Sequence, residues 1–341
     1  MHKYKKLYGY HRQSNKNATS DSPIFLYEPS ISTLNLGDGI ITESCRKHLR
    51  DLYTTEAFIN CSSHLPQSSV SWTRAWSCKS SFVCGSNLLC SDMFMGRAWN
   101  ISFLDSLVLP KANLLGVGWN NYQSKASTYT KYLYKNILSN TFIHSVRDKY
   151  TENKLKEIGI NNVINTGCPT MWDLNESHCD AIPNIKSNEV VFTLTDYRVA
   201  EEEDMQLILA LLEGYNTVYF WPQGSNDLSY FRKLQTKLGA VTNKINILPQ
   251  SLSYYSNLLE RRNIDFVGTR LHAGVKALQF KRRSLIIGVD NRATEKKKDF
   301  NLPVIERYKS KDDYLDSFNQ KFNTEIQIND EAIKKWKEQF I

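Results

Sequence analysis

The residues best suited to chemistry lie in the turn Gly268 to Gly274, which reads Gly-Thr-Arg-Leu-His-Ala-Gly. An apolar stretch that predicts a strand precedes this turn, and an apolar stretch that predicts a helix follows it. The first turn of a helix offers unpaired N–H groups and the positive end of the helix dipole, which favour an anion. Arg270 adds a guanidinium that binds carboxylate or phosphate through two hydrogen bonds. His272 is suited to acid–base catalysis near neutral pH.

A second turn has the same form in the first half of the chain. The predicted strand Phe142–Val146 ends at Arg147 and Asp148, and a predicted helix begins at Thr151 as its N-cap. Asp148 either orients Arg147 or favours the helix N-terminus through its charge. Both turns also fit a structural role, in which the arginines form salt bridges and His272 is a core histidine.

Glycine-containing turns form a third group. Asn35, Gly37 and Asp38 precede a predicted helix, where glycine permits close approach of a ligand and Asp38 also suits a simple cap. Gly85 and Ser86 follow another predicted strand. None of these turns completes G-x-G-x-x-G, so the sequence does not support a dinucleotide site. The chain also has no Walker loop, G-x-S-x-G elbow or H-E-x-x-H helix, the motifs of nucleotide phosphate binding, serine hydrolysis and zinc proteolysis.

The elements that position these turns alternate between strand and helix, which predicts an α/β fold with parallel sheets and helices on both faces. The predicted strands are Ile24–Tyr27, Ala57–Cys61, Ser81–Cys84, Asn113–Val117, Phe142–Val146, Val163–Asn165, Val190–Leu194, Thr217–Trp221, Ile245–Leu248, Ile264–Val267 and Ser284–Val289. The predicted helices are Gly39–Leu49, Tyr129–Leu138, Thr151–Ile158, Glu201–Leu212, Leu228–Leu238, Leu252–Arg261 and Leu271–Lys281. Gly159 is predicted as the glycine that follows a helix end.

A chain of 341 residues is long for one compact domain, so we expect two Rossmann-like, doubly wound domains with a cleft between them. The predicted bounds are 1–21 for a loosely ordered arm, 22–178 and 187–310 for the domains, and 311–341 for a helical tail. The polar stretch 173–187 is the predicted linker, and the second domain is expected to hold the donor site.

Composition limits the cell compartment and the partners that we expect for this protein. No apolar run is long enough to cross a bilayer, and the polar start of the chain lacks the apolar core of a secretory signal, so we expect a cytoplasmic protein. The seven cysteines show no metal-ligand spacing and read as free thiols. A net charge of +8 attracts anions, but no sequence signature indicates a nucleic-acid partner.

Five motifs together resemble the polysaccharide pyruvyltransferase family, in the family's order. They are Asn35-Leu36-Gly37-Asp38, Ser145-Val146-Arg147-Asp148 with Thr151 and Leu155, Gly167-Cys168-Pro169-Thr170, Gly268-Thr269-Arg270-Leu271-His272-Ala273 and Asp290-Asn291-Arg292. Two positions depart from the family pattern. Arg292 stands where the family often has lysine, and Gly85-Ser86-Asn87 is poorer in glycine.

The resemblance implies two Rossmann-like domains in a GT-B-like arrangement, phosphoenolpyruvate as co-substrate, and no obligatory metal or other cofactor. It further implies that Arg147 and Arg270 bind phosphoenolpyruvate and that His272 transfers protons. Arg292 would replace a donor-binding lysine. The other residues expected to contact substrates are Leu271, Asp38, Asn35, Gly37, Asp148, Gly85 and Ser86.

The implied reaction transfers pyruvyl to a pair of hydroxyls of a sugar in a surface polysaccharide, such as a capsule, or in its precursor. The expected acceptor is a sugar or a lipid-linked oligosaccharide, and any association with the inner face of the cell membrane is expected to be peripheral. Two alternatives remain open from the residues. One is a GT-B-type glycosyltransferase with a nucleotide-sugar donor, because an anion site also suits a diphosphate. The other is a non-catalytic protein that binds carbohydrate or an anion.

Overall fold

The structure is a computed structural model that describes residues 19, 21–96, 98–308 and 310–341. The predicted N-terminal arm, residues 1–21, lies outside the described residues except for positions 19 and 21. The chain divides into two compact units. The first contains residues up to Thr33, Ile41–Pro169 and Asn329–Ile341, and the second contains Leu34–Ile40 and Thr170–Ile328.

Parallel strands form the sheet of the first unit, in the order β2-β1-β3-β4. These strands are β1 Ile24–Glu28, β2 Phe58–Ser62, β3 Ser80–Cys84 and β4 Asn113–Leu115. The next two strands, β5 His144–Val146 and β6 Val163–Asn165, pair with each other in parallel. A bridge between Val117 and Val146 places β5 beside the end of β4. The reversal of order between β1 and β3 is that of a doubly wound sheet.

Helices connect these strands. In the first unit they are α2 Ser69–Trp76, α3 Phe103–Val108, α4 Thr128–Ile137, α5 Lys149–Glu157 and α13 Asp330–Glu338. Helix α1, Leu36–Leu52, begins in the residues of the second unit and continues in the first. The core of the first unit is made of apolar side chains from strands and helices, among them Val83, Leu114 and Trp119, all fully buried.

The sheet of the second unit has six parallel strands in the order β12-β11-β10-β7-β8-β9. They are β7 Glu189–Thr193, β8 Thr217–Phe220, β9 Ile245–Ile247, β10 Asp265–Gly268, β11 Ser284–Ile287 and β12 Val304–Ile305. This is the strand order of a dinucleotide-binding Rossmann fold, although the glycine fingerprint is absent. The order reverses between β7 and β10, and ligands bind beyond the carboxyl ends of strands at such a reversal.

The helices of the second unit lie between and after its strands. They are α6 Glu176–Asp180, α7 Glu201–Gly214, α8 Asp227–Leu238, α9 Leu252–Arg261, α10 Leu271–Gln279, α11 Asn291–Phe300 and α12 Lys311–Asn319. The central strands β7, β10 and β11 are buried on both faces, and residues such as Val190, Phe192 and Val267 are fully buried in one core.

The predicted strands are confirmed to within two residues at each end, and the predicted helices to within three. Sequence analysis did not predict α2, α3, α6 or α11. The predicted N-cap of α5 was wrong: Asp148 caps this helix by accepting a hydrogen bond from the Thr151 N–H. The aspartate reaches the third N–H of the helix, so α5 begins one turn earlier than predicted. Gly159 follows the helix end with φ of +83°, as predicted.

The bounds of the two units differ from the predicted domain bounds in three places. Residues 34–40 belong with the second unit, the first unit's central segment ends at Pro169, and the tail is divided between the units at Asn329. The stretch 173–187, predicted as a linker, contains α6 and belongs to the second unit. Among the described helices, none is long and apolar enough to span a bilayer.

Candidate functional site

Arg270 lies at the reversal of strand order in the second unit. It is the N-cap residue of α10, two positions after β10, and it is 4% exposed. Its backbone N–H donates to the Thr193 hydroxyl at 3.1 Å, and its Nε donates to the Leu194 carbonyl at 3.2 Å. Because both partners come from β7 and its end, the arginine is fixed to the two strands that flank the reversal point.

Two carboxylates hold the guanidinium of Arg270. Nε donates to Oδ2 of Asp227 at 2.9 Å and Nη2 donates to Oδ1 of the same aspartate, a two-point contact. Nη2 also donates to Asp196 at 2.8 Å. In the described part of the chain we find no hydrogen-bond partner for Nη1. The fork predicted to hold an oxyanion is therefore oriented by aspartates through Nε and Nη2.

Burial raises the pKa of Asp227 above its ordinary value, while the hydrogen bond from Arg270 acts in the opposite direction. The backbone N–H groups of Gln223 and Gly224 also donate to Asp227, at 3.1 and 2.6 Å. A Cβ on Gly224 would lie 2.2 Å from Nη2 of Arg270, so only glycine allows this approach.

Tyr197 connects Arg270 with Arg292. Its ring centroid lies 5.0 Å from Cζ of Arg270 and 5.9 Å from Cζ of Arg292, and its hydroxyl accepts a hydrogen bond from Nη2 of Arg292. Asp290, the N-cap residue of α11, accepts from Nε of Arg292 at 2.9 Å. Burial acts to lower the pKa of Arg292, but Tyr197 and Asp290 outweigh it, so the net pKa is raised. Arg292 thus stays charged beside Arg270.

The motif around Asn35 joins the same network. Oδ1 of Asn35 accepts from the Gly37 N–H at 3.1 Å and from Nε2 of Gln223 at 2.7 Å. A Cβ on Gly37 would lie 2.7 Å from Nε2 of Gln223, which explains the glycine. Hydrogen bonds therefore run from Asn35 through Gln223 and Asp227 to Arg270. Asp38, next in the chain, is 7% exposed in the first turn of α1.

Leu271 and His272 are the first two residues of α10, directly after Arg270. Both are 6% exposed. His272 therefore lies in the helix turn that carries the free N–H groups, as predicted. Its position places an imidazole within two residues of the guanidinium that the aspartates hold.

Arg147 forms a separate cluster in the first unit. It follows β5 directly and is 3% exposed. Nε donates to Asp148 at 2.8 Å, Nη2 donates to the Trp119 carbonyl at 3.2 Å, and Nη1 donates to Asn87. Asp148 thus performs both of the roles that the sequence left open, since it orients Arg147 and caps α5. Burial acts to raise the pKa of Asp148, but Arg147 and Thr151 outweigh it and the pKa is lowered.

The glycine turn after β3 is part of this cluster. Gly85 and Ser86 have φ of +55° and +63°, and the Ser86 carbonyl accepts a hydrogen bond from the Gly118 N–H at 2.9 Å. A Cβ on Gly118 would lie 2.1 Å from Cζ of Arg147. The left-handed conformation of Ser86, unfavourable for a residue with a Cβ, brings Asn87 to Arg147.

The predicted residues therefore fall into two groups. Those gathered at the strand-order reversal of the second unit are Asn35, Gly37, Arg270, Leu271, His272 and Arg292, with Asp38 next to Gly37 in the chain. Those gathered at the carboxyl ends of β3 and β5 in the first unit are Gly85, Ser86, Arg147 and Asp148. That both groups face one cleft stays a prediction.

Sequence analysis missed three residues that complete these groups, namely Tyr197, Asp227 and Asn87. Tyr197 and Asp227 follow β7 and β8 at their carboxyl ends, so the rule that identified Arg270 would also have indicated them. Asn87 was noted only as part of a glycine turn. In the described ranges no three His, Cys, Asp or Glu side chains are placed to hold a metal ion.

Solved structures with a similar fold show the fold class of this chain. The UDP-GlcNAc 2-epimerase of Methanocaldococcus jannaschii, solved with UDP-GlcNAc and UDP, is similar with a TM-score of 0.51 and 13% identity, over 93% of this chain and 97% of that one. A putative UDP-N-acetylglucosamine 2-epimerase of Listeria monocytogenes has a TM-score of 0.50 and 10% identity, over 94% of this chain and 91% of that one. These likenesses confirm a two-domain α/β fold of the GT-B type.

A match to a family model shows the family of this chain. Residues 35–291 match the model of the polysaccharide pyruvyl transferase family, and the chain belongs to this family of transferases. The match includes both clusters except Arg292, which lies one residue beyond its end. A search of curated protein sequences found no match.

Proposed function

We propose that this protein transfers a pyruvyl group from phosphoenolpyruvate to two hydroxyls of one sugar, forming a pyruvate ketal and releasing phosphate. The observation that carries the proposal is the cluster of Arg270, Tyr197 and Arg292 at the strand-order reversal of a chain that belongs to the pyruvyltransferase family. The acceptor is a sugar of a surface polysaccharide, such as a capsule, or of its lipid-linked precursor.

Phosphoenolpyruvate carries a carboxylate and a phosphate, so its site needs several cations. Arg270 and Arg292 supply two guanidinium groups, with Cζ atoms 5.0 and 5.9 Å from the centroid of the Tyr197 ring. Asp227 and Asp196 fix the orientation of Arg270 before a ligand arrives, which reduces the loss of side-chain entropy on binding. The free Nη1 of Arg270 and the N–H groups at the start of α10 then bind the anion. Arg147 is proposed as a further cation that binds the donor.

His272 is proposed as the group that moves protons. The reaction adds a proton to the methylene carbon of the enol, which leaves a positive centre at the adjacent carbon. One sugar hydroxyl attacks this carbon and gives its proton back to the imidazole. Phosphate then leaves with the bonding electron pair, and the second hydroxyl closes the ketal as its proton passes to the departing phosphate. Two protons are gained, by carbon and by phosphate, and two are lost from the hydroxyls, so one imidazole that donates first and accepts afterwards is sufficient. The arginines stabilise the negative charge that develops on the departing phosphate.

The proposed reaction requires no further cofactor, because phosphoenolpyruvate itself brings the reactive carbon and the leaving group. We place the reaction in the cytoplasm, where phosphoenolpyruvate is made, with at most peripheral contact at the inner face of the membrane.

Thermal denaturation with added ligand separates this proposal from that of a nucleotide-sugar glycosyltransferase. We expect phosphoenolpyruvate to raise the melting temperature in a concentration-dependent way and UDP-GlcNAc to leave it unchanged, because only a ligand of the native state stabilises it. Phosphate release on a competent acceptor then separates an enzyme from a binding protein. Stabilisation by UDP-GlcNAc alone would overturn the proposal.

A further inference from the structure

A polar cavity of about 580 Å³ lies in the first unit, away from the Arg147 cluster. Its wall includes Ser80 and Asn113, the first residues of β3 and β4, and residues 139–142 just before β5. The cavity therefore opens at the amino-terminal edge of the sheet. Arg147 follows the carboxyl end of β5, and strands of three to five residues separate the two edges by about 10–15 Å.

Most of the side chains that line the cavity are hydroxyls and amides. They include Ser80, Ser106, Asn113, Asn136, Asn140 and Thr141. Asn113 is 2% exposed, and its Oδ1 has no hydrogen-bond partner in the described part of the chain. A buried amide oxygen without a partner is unfavourable unless a ligand or water donates a hydrogen bond to it. This asparagine is a second observation, besides the cavity itself, that indicates a hydroxyl-bearing ligand.

The loop that forms one wall is held in place by its own hydrogen bonds. Oγ of Ser139 accepts from the backbone N–H groups of Thr141 and Phe142, each at 3.2 Å. The Ser139 carbonyl accepts from Nε2 of His144 at 2.8 Å. The ring of Phe142 adds an apolar surface to the wall and packs against Phe340 with centroids 5.1 Å apart. Hydroxyls, amides and one aromatic face suit the polar edge and apolar face of a pyranose ring.

Two lysines set the charge of the cavity. Lys79 is paired with Glu56 at 2.6 Å. Lys111 instead donates to the backbone carbonyl of Lys135 at 3.0 Å, and among the described residues it has no carboxylate partner. Lys111 is exposed, and partial burial of its ammonium lowers its pKa. The wall therefore carries one uncompensated cation next to its hydroxyls and amides.

We propose that this cavity is a second ligand site, which binds a sugar unit that carries a carboxylate or a phosphate. Lys111 binds the acidic group, and Asn113 with the loop 139–142 binds the hydroxyls. The proposal does not depend on pyruvyl transfer, because it concerns binding at the opposite edge of the sheet from Arg147.

Calorimetry with four probes tests the proposal. The probes are glucuronic acid, glucose 1-phosphate, glucose and inorganic phosphate, each titrated in the presence of excess phosphoenolpyruvate. We expect saturable binding of glucuronic acid or glucose 1-phosphate, and at least tenfold weaker binding of glucose and of inorganic phosphate. Binding of glucuronic acid indicates a ligand with a carboxylate, and binding of glucose 1-phosphate indicates a ligand with a phosphate. Absence of binding by both acidic sugars, or equal binding of inorganic phosphate, would overturn the proposal.

Two variants locate the binding. Lys111→Gln removes the cation and is expected to weaken the acidic sugar about tenfold or more, whereas the control Lys125→Gln, an exposed lysine outside the cavity, leaves it unchanged. Thr141→Trp, at an exposed position of the wall, introduces a bulky indole at the cavity and is expected to weaken binding about tenfold or more. Binding that survives both Lys111→Gln and Thr141→Trp would contradict the proposal. The melting temperatures of both variants check that they are folded.

Discussion

Asp227 and Arg270 are joined by a two-point contact, in which Nε and Nη2 of the guanidinium each donate to one carboxylate oxygen. Asp227 starts a helix after β8 and Arg270 caps a helix after β10, so the contact links turns 43 residues apart in sequence. A cation that is 4% exposed needs such a partner, and the pair fixes the direction of the remaining nitrogen.

Arg270→Lys is expected to weaken the binding of phosphoenolpyruvate. Lysine keeps the charge but cannot contact Asp227 at two points and Asp196 while it also reaches a ligand. We expect a loss of about 1–3 kcal/mol in donor binding, the range for charge-assisted hydrogen bonds, measured by calorimetry. Arg262→Lys is the matched control, because Arg262 pairs with Glu189 at a half-exposed position of the same unit. Unchanged affinity and turnover in Arg270→Lys would refute its role in donor binding.

Gly118→Ala is expected to displace Arg147. The added Cβ would lie 2.1 Å from both Cζ and Nε, so the guanidinium must leave Asp148 and Asn87. If Arg147 binds the donor, turnover should fall at least tenfold, and overpacking of this kind should cost about 1–3 kcal/mol of stability. Gly96→Ala serves as the control, since its Cβ would meet no atom closer than 3.4 Å. Full turnover in Gly118→Ala, with stability reduced, would show that Arg147 is structural only.

His272→Gln is expected to bind phosphoenolpyruvate nearly normally and to turn over about 10²–10⁴-fold more slowly. Glutamine keeps a hydrogen bond but cannot exchange a proton near neutral pH. Calorimetric binding of the donor combined with phosphate release on a competent acceptor separates positioning from proton transfer. A rate within a few-fold of the wild type would assign the proton to another group, and Asp38 is the first to examine.

The burial of His144 leads us to expect that the free energy of unfolding depends on pH. It is fully buried, Nε2 contacts the Ser139 carbonyl, and burial lowers its pKa from 6.5 to about 4. Because the unfolded chain binds a proton below 6.5 and the folded protein does not, stability should fall as the pH drops from 6.5 towards 4. The fall attributable to His144 is about 2 kcal/mol by pH 5. Urea unfolding of the wild type and of His144→Gln should diverge by this amount between pH 7 and pH 5, and parallel curves would contradict it.

The alternation of apolar strands and amphipathic helices was sufficient to predict both sheets and the turns that carry Arg147 and Arg270. Local pattern decides these features, because central strands such as β1, β7, β10 and β11 are buried along nearly their whole length and the turns follow them directly. The same reasoning indicates Tyr197 and Asp227 as candidates, but it does not show that they contact Arg270. Asp227 and Tyr197 meet Arg270 only through the parallel order β10-β7-β8, which periodicity does not specify. The cap of α5 was misassigned because Thr151 and Asp148 are both good cap residues, and in the structure the backbone N–H and the hydroxyl of Thr151 both donate to Asp148.

Transfer of pyruvyl to a surface sugar is tested by mass spectrometry of surface glycans. The glycans come from cells with the gene, from cells without it, and from cells without it that receive either the wild-type gene or His272→Gln. We expect one repeat unit to carry the mass of one pyruvyl ketal in wild-type cells, this mass to disappear without the gene, and only the wild-type gene to restore it. Glycans of the same mass in both cell types, or loss of a whole sugar instead of a ketal, would contradict it.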